Sequence, residues 1–444
     1  MPHPRAWRPF ILVASYLFYG WVDWRWVLLL IASSVVNTFA AQVIARSPSQ
    51  LMRKRALAAA IVFDLGLLCT FKYFGFFVSE VDGALNSIGL GSPLPLVQVV
   101  LPIGISFFTF QAISYVVDVY RGETRAASLV EVAILQAFFP HLVAGPIVRA
   151  NELLPQLRTP RDPRTVLAGP AIFLIVGGLL KKTVIADELA RRVVDPVYSD
   201  PAAHSGAELT LAFYAFAAQI YCDFSGYTDM AIGLALLLGY QLPQNFNRPY
   251  LALSLQDFWR RWHMTLSRWL RDYLYIPLGG NRKGRLKTYR NVMLTMLLGG
   301  LWHGASWTFV LWGGIHGVGL SAERWARERF GGLHVPAWVA WLVTFHVVCV
   351  AWVFFRAPDL GTAFDVLGGL GLSGPSPLVT LPLVLLVVAA VAIQALPPGW
   401  WREAEAWLVA RPVAMQGLAV GALLVISDAA VGQQGVAPFI YYQF

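Results

Sequence analysis

The sequence predicts an all-α, polytopic membrane protein, and three observations carry that expectation. Hydrophobic residues make up 57% of the 444 residues and charged residues only 13%; ordinary soluble domains are about 25% charged. The mean hydropathy is +0.58. Several long stretches carry no charge at all, and a helix of ~20 apolar residues crosses a bilayer core. So few charges cannot cover the surface of a soluble chain of this length. A multidomain soluble enzyme, a disordered chain and a fibrous chain are thereby excluded. The chain reads as one domain over residues 1–444, with its motifs concentrated in residues 138–320.

The elements follow in order. Residues 10–22 form a first apolar segment behind Arg5 and Arg8. Asp23 and Arg25 follow it without a small-residue cleavage site, so it reads as an uncleaved membrane segment rather than a signal peptide. Residues 26–45 are uncharged. Arg46, Arg53, Lys54 and Arg55 then form a basic loop without an acid, which belongs in the cytoplasm. Residues 56–78 return to the other side at Glu80 and Asp82. The next uncharged stretch is 83–117. FFPHLVAGP at 138–146 has two prolines and a glycine, and Arg149, Arg158, Arg161 and Arg164 follow it with Glu152 and Asp162 among them. A broken or re-entrant segment is expected there. Residues 132–148 and 230–247 are shorter candidates, and 291–322, 330–355 and 366–401 are long ones. By length the chain holds roughly 10–13 membrane segments. Its 17 Trp and 16 Tyr suit interfacial belts.

The net charge of +9 needs no nucleic-acid partner, because basic cytoplasmic loops orient membrane proteins. The strongest such loop carries Arg282, Lys283, Arg285, Lys287 and Arg290. Cys69, Cys222 and Cys349 lack metal or redox spacing and read as small buried residues. No histidine pair has zincin spacing, so no metal is expected. GGNRKG at 279–284 lacks the Lys-Ser/Thr of a P-loop, and Ser225 lacks the glycine of a nucleophile elbow.

Residues 254–275, SLQDFWRRWHMTLSRWLRDYLY, open on a capping-box pattern at Ser254 and Asp257. At helical spacing Phe258, Trp262, Leu266, Trp269 and Tyr273 share one face, with Arg260, Arg261, Arg268, Arg271 and Asp272 opposite. That is the pattern of an interfacial amphipathic helix. His263 lies at the edge of its apolar face, and alone reads first as a histidine satisfied by a carbonyl. Residues 291–322 would reach about 48 Å as one helix, beyond a core of about 30 Å. The stretch must break, tilt or turn back, and Gly299, Gly300 and Gly304 mark the place. His303 stands next to that break, about 20 Å along a helix from Arg290. An ionisable residue so deep in a bilayer is costly and marks function, against the alternative of polar glue between helices. His316 lies nearer the far end of the stretch and reads as structural. Asp223 and Asp229 in YCDFSGYTDMAIG are six residues apart, share no helix face, and read as structural partners or supports rather than a catalytic pair.

A neutral buried imidazole can take the proton of a hydroxyl as it attacks an acyl carbonyl, for ~10²–10⁴ in rate. Burial disfavours the charged ring, and dry surroundings protect an activated donor from water.

The strings DFWRRWHMTLSRWLRDYLYIPLGGNRKG and GGLWHGASWTFVLWGGIHG resemble the membrane-bound O-acyltransferase family, in particular its bacterial branch that acetylates alginate. PHLVAGPIVR, CDFSGYTDMAIG, FNRPY and the terminal FIYYQF match the same branch, and the resemblance runs from SYLFYGWVDWRW at Ser15 onward. It implies a helical bundle whose funnel and tunnel meet at two histidines: His303 of WHG as the catalytic residue and His263 of RRWH as the second active-site position. Relatives usually carry a further hydrophobic segment before SYLFYG, where this chain has only 14 residues.

The implied function is movement of an acyl group, acetyl by similarity, from a cytoplasmic donor across a bacterial inner membrane for O-acetylation of an exported polysaccharide such as alginate. The implied donor is acetyl-CoA or another acyl thioester, and no residue that binds it is legible. No bound cofactor is expected. The implied partners are membrane lipid and a separate extracytoplasmic acetyltransferase of a polysaccharide-modifying complex. Acylation of peptidoglycan and D-alanylation of teichoic acid are the alternatives within the same chemistry. Outside it stand a transporter without acyl transfer, whose broken helices would line a permeation path, and a haem protein with histidine axial ligands.

Overall fold

A computed structural model describes residues 4–89, 100–159, 162–331, 335–432 and 435–442. Arg161, residues 90–99 of the uncharged stretch 83–117 and the last two residues of FIYYQF lie outside the described residues. Among the described residues helices dominate and no strand occurs, as the composition predicts. Among the described residues five helices are long and apolar enough to cross a membrane: Trp24–Arg46, Gln50–Ser87, Ala168–Ser199, Ala337–Arg356 and Val413–Val431. Counting the pair Leu381–Ala395 and Gly399–Val409, bent by 96°, as one span gives six. The larger number expected from uncharged length has a physical origin. Helices such as Gly206–Leu237 and Arg285–His303 take in parts of the uncharged stretches, but Glu208, Asp223 and Asp229 in the first and Arg285, Lys287 and Arg290 in the second leave them too polar overall to qualify. A helix shielded from lipid by its neighbours needs no apolar surface all round.

The chain divides into two compact units, and each has its own logic. The first comprises Met1–Val166 with Leu238–Pro243. The Pro4–Gly20 helix is followed by Asp23, which caps Trp24–Arg46, its side chain accepting from the Arg25 backbone N–H at 2.9 Å. Trp24–Arg46, Gln50–Leu68 and Ile105–Arg121 pack on one another. Asp64 is buried among them, its Oδ1 accepting from Ser33 Oγ at 3.0 Å and Asn37 Nδ2 at 3.1 Å. A carboxyl inside a membrane helix needs such partners. Gln50–Leu68 continues through a wide turn, Cys69–Tyr73, into Phe74–Ser87. Cys69 is exposed on that span, contrary to the expectation for all three cysteines; Cys222 and Cys349 are buried. The segment is flanked by too few neighbours to cover it, so a small apolar residue can face lipid there.

The FFPHLVAGP segment is broken as expected. Leu129–Ala137 begins with a capping box between Ser128 and Glu131 and ends at Phe138, which leaves helical geometry at φ −53°, ψ 107°. One further turn, Phe139–Leu142, follows, with Pro140 near its start where a missing N–H costs nothing. Of the arginines beyond, Arg158 pairs with Glu131 at 2.8 Å, and Arg8 reaches the same carboxylate at 3.3 Å.

The second unit comprises Leu167–Leu237 with Gln244–Phe444. Ala168–Ser199 packs along Gly206–Leu237 and widens into π-helical turns at Lys181–Ala186 and Ala190–Val194. Arg285–His303 and Trp307–Phe330 form a tight antiparallel pair. A Cβ on Gly300 would overlap the Phe309 carbonyl, and one on Gly313 the Met296 carbonyl, so these glycines let the two backbones touch. Ala337–Arg356 adds buried Trp352 and Phe355 to this core. Val413–Val431 leaves nearly its whole surface exposed, as a lipid-facing helix would.

Candidate active site

Residues 254–275 do not form one amphipathic helix. Leu255–Arg261 stops, the chain turns at Trp262 and His263, and Met264–Leu270 starts again before a wide turn at Arg271–Tyr275. The Ser254 cap is present, its hydroxyl accepting from the Asp257 N–H at 3.0 Å. The break has a visible cause. The extended stretch before Arg248 takes over the backbone bonds that a continuous helix would use: Asn247 N donates to Arg261 O at 2.9 Å and Met264 N to Asn245 O at 2.9 Å. His263 sits in the left-handed region at φ 41°, which a non-glycine residue adopts only when its surroundings hold it there.

The break carries His263 off the interface and into the core, where it is fully buried. Its Nδ1 lies 3.1 Å from Asn245 Oδ1. The same oxygen accepts from the Thr265 backbone N–H at 3.2 Å and from Thr265 Oγ1 at 2.9 Å. A backbone N–H can only donate, so this atom is the amide oxygen and His263 Nδ1 must donate to it. In the neutral ring Nε2 then carries the lone pair. The ring stands edge-on to Phe224, with centroids 4.7 Å apart.

His303 is the last residue of Arg285–His303, and Gly304 leaves helical geometry immediately after it. The expected break therefore falls at Gly304, while Gly300 serves close packing inside the helix. His303 is 2% exposed. Aromatic rings enclose it: Trp302 and Trp312 at 4.9 Å, Phe355 and Tyr441 at 5.2 Å between centroids. Trp302 also packs 6.1 Å from His263, so the two imidazoles lie within about 11 Å of each other. The structure thus brings together the two histidines singled out in the sequence.

His316 packs 4.9 Å from Trp312, the ring that also touches His303. Trp259 Nε1 donates to its Nδ1 at 3.3 Å, and it stacks on Phe258, as a structural histidine would. Asp223 and Asp229 are ion-pair partners: Asp223 of Lys182 at 2.6 Å, and Asp229 of Lys181. Two residues that touch the histidines escaped the sequence reading: Asn245 carried no signal beyond its place before FNRPY, and Tyr441 lay in the quoted terminal motif without a role.

A cavity of about 570 Å³ opens beside this centre. Arg260, Arg268, Arg271, Arg324 and Arg327 line it with a single acid, Glu323, and its wall includes Met264, the neighbour of His263. Glu323 is already engaged by the backbone N–H groups of Leu255 and Gln256. The cavity is therefore cationic, and a cleft lined by one sign of charge concentrates ligands of the other. Trp259, also in its wall, packs 5.7 Å from Trp312, which in turn packs on His303. Among the described residues no group of three or more His, Cys, Asp or Glu side chains could hold a metal ion.

Residues 123–357, more than half of the chain, match the model of the MBOAT, membrane-bound O-acyltransferase family. The chain is 38% identical over 478 aligned residues to the probable alginate O-acetylase AlgI of Pseudomonas putida, covering 98% of this chain and 94% of that protein. It is 42% identical over 370 residues to the corresponding Pseudomonas aeruginosa protein, covering 80% and 68%. It is 39% identical over 405 residues to a peptidoglycan O-acetyltransferase of Helicobacter pylori, covering 84% and 75%.

Proposed function

The chain belongs to the membrane-bound O-acyltransferase family, and from that premise we propose that it takes an acetyl group from a cytoplasmic thioester such as acetyl-CoA and passes it across a bacterial inner membrane toward an exported polysaccharide. Alginate is the proposed acceptor polymer, because alginate O-acetylases are similar to this chain over most of its length. A separate extracytoplasmic transferase completes the modification.

The observation that carries the reading is the enclosure of His303 by Trp302, Trp312, Phe355 and Tyr441 with His263 close by. In the proposed step the His303 imidazole takes the proton of an acceptor hydroxyl while that oxygen attacks the thioester carbonyl. The carbon–sulfur bond breaks, and the thiolate leaves and is protonated. The aromatic wall keeps water from the thioester, so transfer outcompetes hydrolysis. His263, its Nδ1 donating to Asn245, offers Nε2 as a second acceptor for a substrate proton. The arginine-lined cavity supports an anionic donor, since its cationic lining would draw the phosphates of a CoA thioester, although Arg271 already pairs with Asp272 at 2.6 Å and Arg324 with Glu328 at 2.8 Å.

The test is reconstitution of the purified protein in liposomes with radiolabelled acetyl-CoA inside. Acetyl transfer that depends on His303 is the expected result. Passage of a solute without any acyl transfer would replace the enzyme reading by the transporter reading. Comparing alginate, peptidoglycan and teichoic acid from a deletion strain assigns the polymer, and loss of acetyl from peptidoglycan alone, or of D-alanine from teichoic acid, would displace alginate.

A further inference from the structure

The chemistry above makes no use of Lys182, yet it is among the most deeply buried charges in the second unit. Lys182 is 2% exposed, Asp187 1% and Asp223 2%. The lysine Nζ lies 2.7 Å from Asp187 Oδ1 and 2.6 Å from Asp223 Oδ1. Each carboxylate turns its other oxygen to the same stretch of backbone near the end of the chain. Asp187 Oδ2 accepts from Ala437 N at 3.3 Å, and Asp223 Oδ2 from Ile440 N at 2.9 Å.

That stretch has no helical ladder of its own before the single turn Ile440–Tyr442. The two carboxylates therefore supply the acceptors that its N–H groups need. Tyr441 follows directly, with its ring 5.2 Å from His303 and 4.9 Å from Phe224. Phe224, next to Asp223 in sequence, packs in turn on His263. A buried ion triad is a poor device for stability alone, because desolvation offsets most of the attraction and apolar residues of the same volume serve as well. Here the triad reaches one target through both of its acids. The widened turn Lys181–Ala186 makes this possible: consecutive lysines meet two carboxylates six residues apart on one helix, Asp229 for Lys181 and Asp223 for Lys182.

We propose that Lys182 is a positioning residue: by bridging Asp187 and Asp223 it fixes residues 437–441 and so holds the Tyr441 ring against the His303 imidazole. The consequence for turnover rests on the reading of His303 as the base of acyl transfer. Loss of the lysine leaves two buried carboxylates without the counter-charge they share. Their grip on the Ala437 and Ile440 amides then loosens, and the wall around His303 opens.

The experiment uses the full chain in nanodiscs, with hydrogen exchange of residues 435–442 and steady-state kinetics measured on the same preparations. Lys182→Met should speed exchange at Ala437 and Ile440. It should lower kcat ~10- to 100-fold, the scale of a misplaced catalytic wall, with donor KM changed by no more than about threefold. Lys182→Arg should restore part of both. Should Lys182→Met fail to accumulate, Asp223→Asn, which retains an acceptor for Ile440 but loses the lysine, carries the same expectation in milder form. Unaltered exchange in the variants, or faster exchange with kcat unaltered, overturns the proposal. A His303→Ala control that retains full turnover would remove the assigned base instead, and the exchange data would still decide whether Lys182 holds the segment.

Discussion

His303 and His263 occupy different chemical settings, and their variants should differ accordingly. His303 touches four aromatic rings at the end of a helix, so His303→Ala removes the base of the proposed attack without cutting a helix. Acyl transfer should fall by ~10²–10⁴, the range for a general base. The measurement is acetyl content of exported polysaccharide at equal membrane abundance; near-normal acetylation would end the catalytic assignment. The tautomer of His263 depends on Asn245, which accepts from Nδ1. Asn245→Ala should therefore lower turnover about tenfold, the equivalent of one hydrogen bond, whereas Asn245→Asp, still an acceptor, should lose much less. Equal loss in both variants would mean that Asn245 acts through the fold of the Thr265 turn and not through the imidazole.

At the scale of elements, the hairpin of Arg285–His303 and Trp307–Phe330 is set by glycine. Gly300 faces the Phe309 carbonyl and Gly313 the Met296 carbonyl, with no room for a side chain at either place. Gly313→Val should push the helices apart, destabilise the protein by ~1–3 kcal/mol, and move His303 relative to Trp312. Thermal unfolding in detergent, read beside activity, checks this; a variant with unaltered melting would show that the contact yields freely. The cysteines report on exposure of their helices. Cys69 is exposed on the Gln50–Ser87 span while Cys222 and Cys349 are buried. A membrane-soluble maleimide should label one site per native chain and three after unfolding. Labelling of Cys222 in the native state would contradict the packing of Gly206–Leu237.

For the molecule as a whole, orientation in the bilayer decides from which side the donor arrives. Arg282, Lys283, Arg285, Lys287 and Arg290 precede or open the helix that ends at His303. A basic stretch without an acid resists translocation, and we propose that this one faces the cytoplasm. Arg285 is partly engaged with Glu328 at 2.7 Å, and Lys287 is exposed. A cysteine at Lys287 should stay unlabelled by an impermeant reagent in intact spheroplasts and react once the membrane is opened. Reaction in intact spheroplasts would invert the topology and the proposed direction of transfer. Joint replacement of Arg260, Arg268 and Arg327 in the cavity should raise the donor KM, and the difference should shrink at high salt because screening weakens such attraction in the native protein too. A donor KM unaffected by the triple variant would leave the cavity charges without a role in donor capture.

What the sequence determined by itself was whatever depends on composition and on local pattern. Sparse charge and long apolar stretches fixed an all-helical membrane protein, because a bilayer demands internally bonded backbone and apolar flanks. Excess length in 291–322 required a break, and the break falls at Gly304 beside His303. The prolines of FFPHLVAGP likewise interrupt their helix. Tertiary structure decided what periodicity could not see. Residues 254–275 have a continuous amphipathic pattern, yet backbone bonds from Asn245 and Asn247 split them and turn His263 inward. Those bonds come from outside the helix, so no count along its own face could announce them. The Lys182 triad and Tyr441 belong to the same class: their partners are 217 and 250 residues apart in the chain, and only the folded backbone brings them to one place.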